Sequence, residues 1–461
     1  MRVIEVHLPE YSSEGELPLL TSEDARQRHS KLLVAMGERG LTHLVVYGDR
    51  EHCANLSYLT GGYDSRFEES LLIVPKDDVP VLVVGNEGFG YSEISLIEHK
   101  KLLFQTFSLQ GQTRSKKRFL SDLLSETGID ASSKIGIVGL KYYESGEVRD
   151  PIHTFDIPHY MVSEILELMP NGSVENATDI MTHPESGIRG TMSAKEIART
   201  ECMSNYLSSE MRRLIGSLRL GMSETDCISE FNYLGVPFSC HPVVNFGTER
   251  VLLGLSSPTP ASKLERGETL SIAFGVEGAN IARTGCAVES QAEFTGARKD
   301  ILSNFYFPYF SALRSWYEGL GIGIRSQEIY REVMERIGNP RFGVVLNPGH
   351  QIHIEEWINS PFREDYDFGL RSGMAFQCDI IAFPGEPFVG VHVEDTVVIA
   401  DQPLRHEIRR MYPDCWRRIE QRRDVMKNLL GIGIGDDILP MSNIQGMLHP
   451  FFLRPNFVIT S

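Results

Sequence analysis

Three segments in the last third of the chain contain the residue types that acid–base or metal chemistry needs. A histidine and two carboxylates, His350, Asp379 and Glu394, lie inside or beside runs of strand-forming residues. Such a trio could hold one divalent ion weakly. It could equally form a metal-free proton-transfer group, in which the carboxylates raise the pKa of the imidazole towards neutrality. The segments are residues 347–357, 373–379 and 390–398.

The spacing of the neighbouring histidines indicates which of them join this trio. His392 and Glu394 are two residues apart, so on a strand their side chains lie on one face, whereas His350 and His353 lie on different faces of a regular strand. We therefore add His392 as a second catalytic candidate, with a hydrogen-bonded structural histidine as the alternative. Without a cation the two carboxylates should repel each other, unless one is protonated, His350 or Arg283 compensates, or a cationic substrate lies between them.

Regular elements must bring these residues together, and the sequence predicts their types. Strands alternate with helices over about the first 180 residues, which is typical of an α/β domain. A capping box formed by Ser193 and Glu196 then begins a helix whose apolar residues keep helical spacing. Strands at 242–247 and 269–275 and a helical stretch at 297–337 precede the first of the three segments.

Composition narrows the class of protein. The 461 residues have 41% hydrophobic and 23% charged content, as soluble globular proteins do. A net charge of −17 argues against nucleic acid and anionic membranes as partners. The sequence has no apolar run of membrane-spanning length and no signal-peptide pattern at its start. Its seven dispersed cysteines are typical of reduced thiols, so we predict a cytoplasmic protein.

Six short motifs, each weak alone, occur in an order that carries more information than any one of them. Together they resemble the M24 family, which includes Xaa-Pro aminopeptidases, prolidases, methionine aminopeptidases and creatinase. The motifs are KEI at 195–197, LGMSE at 220–224, LERGE at 264–268, GH at 349–350, LRSGM at 370–374 and VEDTVV at 393–398.

The resemblance implies a fold of the α/β (α+β) class. Residues 1–185 would form an N-terminal creatinase-like α/β domain, and residues 190–401 would form a C-terminal pita-bread domain. Residues 402–461 would be a helical extension that packs on this domain or on a dimer partner.

The resemblance also locates the positions at which metal-dependent members carry two Asp, one His and two Glu ligands. His350 and Glu394 match their positions, and Asp379 replaces the other Glu. Ala273 and Asn280 stand where the two Asp ligands would be, and neither supplies the charge that bridges two cations. The sequence therefore predicts no two-metal site and no cofactor.

The prediction of substrate-binding residues depends on the same resemblance. In creatinase an aromatic residue and an arginine of the N-terminal loop reach the partner's active site, so Tyr63 and Arg66 could bind a substrate carboxylate in a homodimer. A surface ion pair between Arg66 and Glu68 or Glu69 is the alternative. The remaining substrate-binding candidates are His353, Trp357 and Arg283, the last of which could instead anchor its strand.

These observations favour a metal-independent, creatinase-like hydrolase or lyase. It would cleave a C–N or related bond in a small amine- or carboxylate-bearing substrate, with His350 moving the proton. One alternative is a non-catalytic binding protein with the pita-bread fold. The other is an Xaa-Pro peptidase-like enzyme that holds a single weakly bound metal.

Overall fold

In the computed structural model, which describes residues 1–12 and 17–461, the chain divides into two units. The first unit is the continuous segment Leu19–Gly190, and the second combines Met1–Pro18 with Thr191–Ser461. The first eighteen residues, which the sequence analysis grouped with the N-terminal domain, thus belong to the second unit. The reason is strand β1 (Arg2–Glu5), which pairs antiparallel with the strand Phe457–Thr460.

The first unit is built on a mixed six-stranded sheet with the strand order β5-β4-β3-β2-β6-β7. Every residue of the three strands β2, β3 and β4 is buried, and these strands read as nearly continuous apolar runs, as strands covered on both faces do. The strands are β2 (His43–Gly48), β3 (Ser70–Pro75), β4 (Val81–Val84), β5 (Lys100–Leu103), β6 (Lys134–Val138) and β7 (Ser173–Asn176).

Six helices accompany this sheet in the described part of the first unit. The first begins after Thr21, whose side chain forms a reciprocal capping box with Asp24, and it ends at Gly40 in the left-handed conformation. The helices are α1 (Ser22–Arg39), α2 (Cys53–Thr60), α3 (Gly88–Tyr91), α4 (Leu120–Glu126), α5 (His159–Leu168) and α6 (Asp179–Thr182).

The second unit is built on an antiparallel sheet with the strand order β11-β12-β13-β10-β9-β8, to which β14 adds by pairing with β13. Its largest hydrophobic core packs against this sheet and includes Trp316, Phe274 and Phe305. The strands are β8 (Phe238–Phe246), β9 (Thr269–Val276), β10 (Ala279–Cys286), β11 (His350–Gln351), β12 (Ala375–Gly385), β13 (Val389–Ile399), β14 (Ile438–Pro440) and β15 (Phe457–Thr460).

Helix α7 (Ala194–Ser217) of the second unit begins where the sequence predicts it, whereas the long helical stretch predicted further on is divided into shorter helices. Helix α7 starts from the capping box of Ser193 and Glu196. The expected helical stretch at 297–337 is divided into a π-helical turn, Leu302–Tyr306, and two α-helices separated by a glycine-containing turn. The helices after α7 are α8 (Glu224–Ser229), α9 (Thr248–Leu253), α10 (Phe307–Gly319), α11 (Ser326–Ile337), α12 (Gln402–Met411) and α13 (Pro413–Asp424).

The C-terminal extension is more than helical, because β14 and β15 follow α12 and α13. Helix α13 is tied to α7 through Glu201, which accepts hydrogen bonds from both Arg418 and Arg422. All three side chains are buried, so the carboxylate of Glu201 offsets part of the positive charge of the two guanidinium groups away from water. Among the described residues no helix is both long enough and apolar enough to cross a membrane.

Candidate functional site

The register of four neighbouring strands places the candidate residues in one row. Asp379 on β12 pairs with Glu394 on β13, which pairs with Ala282 on β10, which pairs with Ala273 on β9. Directly paired residues in an antiparallel sheet project from the same face. The two carboxylates are therefore adjacent, and the row continues with two alanines that offer no polar atom.

Residues two positions away on each strand share this face. They include Asn280 on β10 and His392 on β13. His350 on β11 pairs with Gln377, two residues before Asp379, and so joins the same face from the edge. Gly349 makes this pairing possible: its φ is 124°, and a side chain there would collide with the carbonyl oxygen of Gln377.

His350 is fully buried and points its Nε2 atom at both carboxylates. The Nε2 atom lies 3.6 Å from Oε1 of Glu394 and 3.8 Å from Oδ2 of Asp379. It has no hydrogen-bond partner within the described part of the chain. The Nδ1 atom lies 3.2 Å from the carbonyl oxygen of Gln351, which can only accept, so Nδ1 carries the proton. The neutral ring therefore offers the lone pair of Nε2 to the cluster.

The indole of Trp357 covers this imidazole. The two rings are stacked with centroids 4.1 Å apart and an angle of 17° between their planes. Trp357 is 40% exposed, whereas His350 is not exposed at all, so the indole separates the imidazole from solvent on that side. A substrate that reaches His350 from that side would contact Trp357 first.

His392 holds Asp379 directly. Its Nε2 atom lies 2.6 Å from Oδ1 of Asp379 and 3.9 Å from Oε2 of Glu394. Burial disfavours the imidazolium, but the charge of Asp379 and its hydrogen bond outweigh burial and raise the pKa of His392. The same contact lowers the pKa of Asp379 despite its own burial. The two groups form a buried ion pair.

Asn280 joins Glu394 to a third carboxylate that the sequence analysis did not select. Its Nδ2 atom donates to Oε1 of Glu394 at 2.8 Å and to Oε1 of Glu356 at 3.0 Å. Glu356 lies in the loop after β11, where no strand or helix periodicity indicates which way a side chain points. The sequence therefore carried no signal that would separate Glu356 from its neighbour Glu355.

The remaining carboxylates and His350 favour their neutral forms. Burial, and then the charges of Asp379 and Glu356, raise the pKa of Glu394 well above its ordinary value. Burial and the charge of Asp379 also raise the pKa of Glu356, although His350 opposes the shift. Burial lowers the pKa of His350. These pKa shifts favour an uncharged His350 and protonated Glu394 and Glu356 beside the ion pair of His392 and Asp379.

Cys240 on β8 is a further neighbour of these carboxylates. Burial, followed by the charges of Glu356 and Glu394, raises the pKa of its thiol to about 12. A thiol with so high a pKa is not the thiolate that nucleophilic catalysis requires. The chemistry of the cluster therefore rests on its imidazoles and carboxylates.

The cluster does not fit a two-metal centre. Ala273 has no donor atom, and the amide of Asn280 directs N–H groups, not oxygen lone pairs, at the carboxylates. The imidazole of His392 takes the Oδ1 atom of Asp379. Single ligand atoms of His350, Asp379 and Glu394 do lie within 4.8 Å of one another, so these three could hold at most one ion.

Arg283 lies on the opposite face of the sheet, which corrects its assignment as a substrate-binding residue. Its guanidinium donates to both carboxylate oxygens of Asp395, at 2.9 and 2.7 Å, and to the carbonyl oxygen of Ile444. Its exposed fraction is 1%. Arg283 is three residues from Asn280 on the same strand, and an odd spacing reverses the face. Arg283 is a strand anchor.

Three other predicted substrate-binding residues are His353 in the second unit and Tyr63 and Arg66 in the first. His353 is buried, with Nε2 3.7 Å from Oε1 of Glu196 on α7. In the first unit, Tyr63 is 1% exposed and its hydroxyl is bonded to Ser70. Arg66 forms an ion pair with Asp64, with its Nη1 atom 2.6 Å from Oδ2.

Comparison with known proteins identifies relatives of the fold only among solved structures. No family model and no curated protein sequence matches the chain. The prolidase of Pyrococcus horikoshii OT3 is similar, with 16% identity and a TM-score of 0.61 over 81% of this chain and 95% of that one. The Xaa-Pro dipeptidase of Bacillus anthracis has 16% identity and a TM-score of 0.62 over 82% and 96%.

A third similar structure is that of Escherichia coli aminopeptidase P, with 15% identity and a TM-score of 0.57 over 83% of this chain and 93% of that one. The likeness in each case extends over nearly the whole of the compared protein. Identities this low establish the fold. The chain has the pita-bread fold of the M24 peptidases, as its six motifs predict.

Proposed function

We propose that this protein is a metal-independent hydrolase that cleaves a C–N or related bond in a small substrate. The observation that carries the proposal is the Nε2 atom of His350, which lies beside Glu394 and Asp379 and accepts no hydrogen bond from the described residues. Support also comes from the fold, because the similar structures are prolidases, a dipeptidase and an aminopeptidase.

His350 would act as the general base. Its Nδ1–H is bonded to a backbone carbonyl, so the Nε2 lone pair is available to take a proton from water. Burial lowers the pKa of His350, which keeps the imidazole in the neutral form that a base must have. The oxygen of the water would then form a bond to the substrate carbon.

Glu394 would act as the general acid. Burial and neighbouring carboxylates raise its pKa well above the ordinary value, which favours the protonated form that a general acid needs. As the C–N bond breaks, that proton would pass to the leaving nitrogen. The proton on His350 would then return to Glu394, whose Oε1 is 3.6 Å from Nε2, so the reaction consumes only water.

Asp379 and His392 would position the reacting groups. Both side chains would remain charged during the reaction. Their buried ion pair fixes the carboxylate of Asp379 next to His350. An amine or amide nitrogen of the substrate would lie against this carboxylate. A lyase that uses the same base and acid to remove and deliver a proton is the related reaction.

The proposed assembly is a homodimer in which the loop of Tyr63 and Arg66 lies near the active site of the other subunit. Light scattering of the purified full chain tests this part separately. A mass close to twice 51.9 kDa supports it, and a monomer at working concentration contradicts it.

The test of the reaction is a turnover screen of small amides, ureas, guanidino compounds and dipeptides, performed with a chelator present. His350→Ala should lower turnover of any substrate found by about 10²–10⁴-fold, as loss of a general base does. His406→Ala, which removes an exposed histidine of α12, should leave turnover unchanged. Full turnover by His350→Ala would reject the mechanism.

A second candidate function is an Xaa-Pro peptidase-like enzyme with a single metal ion. It is favoured by the ligand atoms of His350, Asp379 and Glu394 that lie within 4.8 Å of one another. Elemental analysis distinguishes the two proposals. One ion per chain, with turnover of a proline dipeptide that a chelator abolishes, would support the peptidase and contradict the metal-independent mechanism.

A further inference from the structure

We infer that a cavity in the first unit binds an alkylammonium group that carries at least one N–H. The cavity has a volume of about 340 Å³, which is in the range of small-molecule sites. The residues that line it include the acidic residue Glu68 and the aromatic residues Tyr63, Phe67 and Tyr91. This inference concerns residues outside the His350 cluster and does not depend on the reaction proposed there.

Glu68 supplies the feature that requires a ligand donor. Its side chain is buried, with an exposed fraction of 6%. The Oε2 atom accepts a hydrogen bond from the backbone N–H of Gly88 at 2.8 Å. The Oε1 atom is buried and has no hydrogen-bond partner among the residues that the structure describes. A buried carboxylate oxygen without a donor is unfavourable, and an ammonium N–H would satisfy it.

Two glycines make room for this carboxylate. A side chain at Gly85 would collide with the carboxylate of Glu68, and one at Gly88 would collide with the hydroxyl of Tyr63. The backbone therefore approaches Glu68 closely on one side. The carboxylate is held in place by the chain itself, which fixes the position at which an ammonium group would bind.

The aromatic rings supply the second part of an ammonium site. The rings of Tyr63 and Tyr91 have centroids 5.2 Å apart and are tilted by 42°. Phe67 and Tyr91 are 64% and 43% exposed, which is high for side chains of this size. Aromatic faces attract cations, and a carboxylate beside them adds charge and a directional acceptor.

The charges of the cavity favour a cation over an anion. Arg66 is the one basic group that lines it, and Asp64 neutralises Arg66 at 2.6 Å. Glu68 and Glu87 are then left without a basic group among the lining residues. This balance opposes the carboxylate-binding role that the resemblance to creatinase implied for Arg66. It selects an amine as the ligand class.

The test is a titration of the full chain with n-butylammonium chloride, in which binding is measured by calorimetry or by saturation-transfer NMR. Tetramethylammonium and butyrate serve as comparison probes. Butylammonium should bind, tetramethylammonium should bind at least several-fold more weakly because it lacks an N–H, and butyrate should not bind. Stronger binding of butyrate than of butylammonium would overturn the inference and return the cavity to Arg66.

Two variants inside the cavity and two outside it locate the binding. Glu68→Gln keeps the size of the side chain and removes its charge, so it should raise the Kd for butylammonium roughly tenfold or more. Tyr91→Leu should also weaken binding, whereas Glu98→Gln, which changes an exposed carboxylate of the same unit, should not. His350→Ala should bind butylammonium as the unchanged protein does. Unaltered affinity in Glu68→Gln, or lost affinity in His350→Ala, would refute the site.

Discussion

The Nε2 atom of His392 lies 2.6 Å from the Oδ1 atom of Asp379, on the neighbouring strand of a buried sheet face. The two side chains are 8% and 5% exposed, so their charges compensate each other with little help from water. An imidazolium therefore occupies the place beside this carboxylate that a cation would otherwise take. Both the stability of the cluster and its affinity for metal ions should depend on this contact.

Removing the imidazole should expose that dependence. We expect His392→Ala to lower the free energy of unfolding by about 3–5 kcal/mol, because Asp379 is left buried without its partner. The variant should also show a larger rise in Tm than the unchanged chain on addition of Mn²⁺ or Zn²⁺, since Asp379 becomes available beside His350 and Glu394.

The matched control for that change is His153→Ala. It removes a histidine whose Nδ1 lies 2.9 Å from Asp150, but both side chains are about 60% exposed. Its cost should stay below about 1 kcal/mol. If both variants lower the free energy of unfolding by the same amount, burial does not strengthen the ion pair of His392 and Asp379.

Asn280→Asp places a further carboxylate between Glu356 and Glu394 in place of the amide that donates to both. We expect it to destabilise the chain more than Asn280→Ala does, because it buries a third acidic group in addition to losing the two hydrogen bonds of the amide. Urea unfolding at neutral pH measures the difference. Equal stability of the two variants would show that the amide is not what keeps these carboxylates together.

Arg283→Met should distinguish the structural role of one face of the sheet from the catalytic role proposed for the other. Loss of the guanidinium leaves Asp395 buried without its cation, at a cost of about 3–5 kcal/mol in unfolding free energy. Turnover per folded molecule should be unchanged, because Arg283 projects away from His350. Arg325→Met, which breaks the exposed pair with Asp367, is the control with a small expected cost.

The pH dependence of the first unit should follow His52. Burial disfavours its charge, but Asp156 and Asp49 outweigh burial and raise the pKa of His52 to about 9. Because this value exceeds the ordinary 6.5, folding takes up a proton. The resulting stabilisation, about 3 kcal/mol, is complete below pH 6.5 and is lost as the pH rises through 9.

Comparing His52→Gln with the unchanged chain isolates this contribution. The variant should be clearly less stable at pH 6 and nearly as stable as the unchanged chain at pH 10, when both are measured by urea unfolding. His153→Gln, at an exposed site, should show no such trend. A stability difference that stays constant from pH 6 to pH 10 would contradict the assignment.

The fold could be predicted from the sequence because its strongest signals are local. Ser193 and Glu196 form a capping box three residues apart, and the structure begins α7 there. The order of short motifs then identified the pita-bread fold. The pairing of β1 with β15 could not be predicted, because nothing local in either strand specifies a partner at the other end of the chain.

The positions of site residues could be predicted where those residues lie on regular strands. His392 and Glu394 are two residues apart, and the structure brings both to the face that holds Asp379. The same rule, applied to the odd spacing of Asn280 and Arg283, would have placed Arg283 on the other face. Glu356 is different: it lies in an irregular loop, so only the three-dimensional structure shows its contact with Asn280.

The two-stranded sheet of β1 and β15 pairs Arg2 with Thr460, so its two strands are synthesised far apart in time during translation. The segment Leu19–Gly190 contains all the strands of its own sheet and can fold while the ribosome continues. Strand β1 is made before this segment and has no partner until residues 457–460 emerge. The unit that carries His350 is therefore completed after the segment Leu19–Gly190, and β1 stays unpaired while the residues between it and β15 are made.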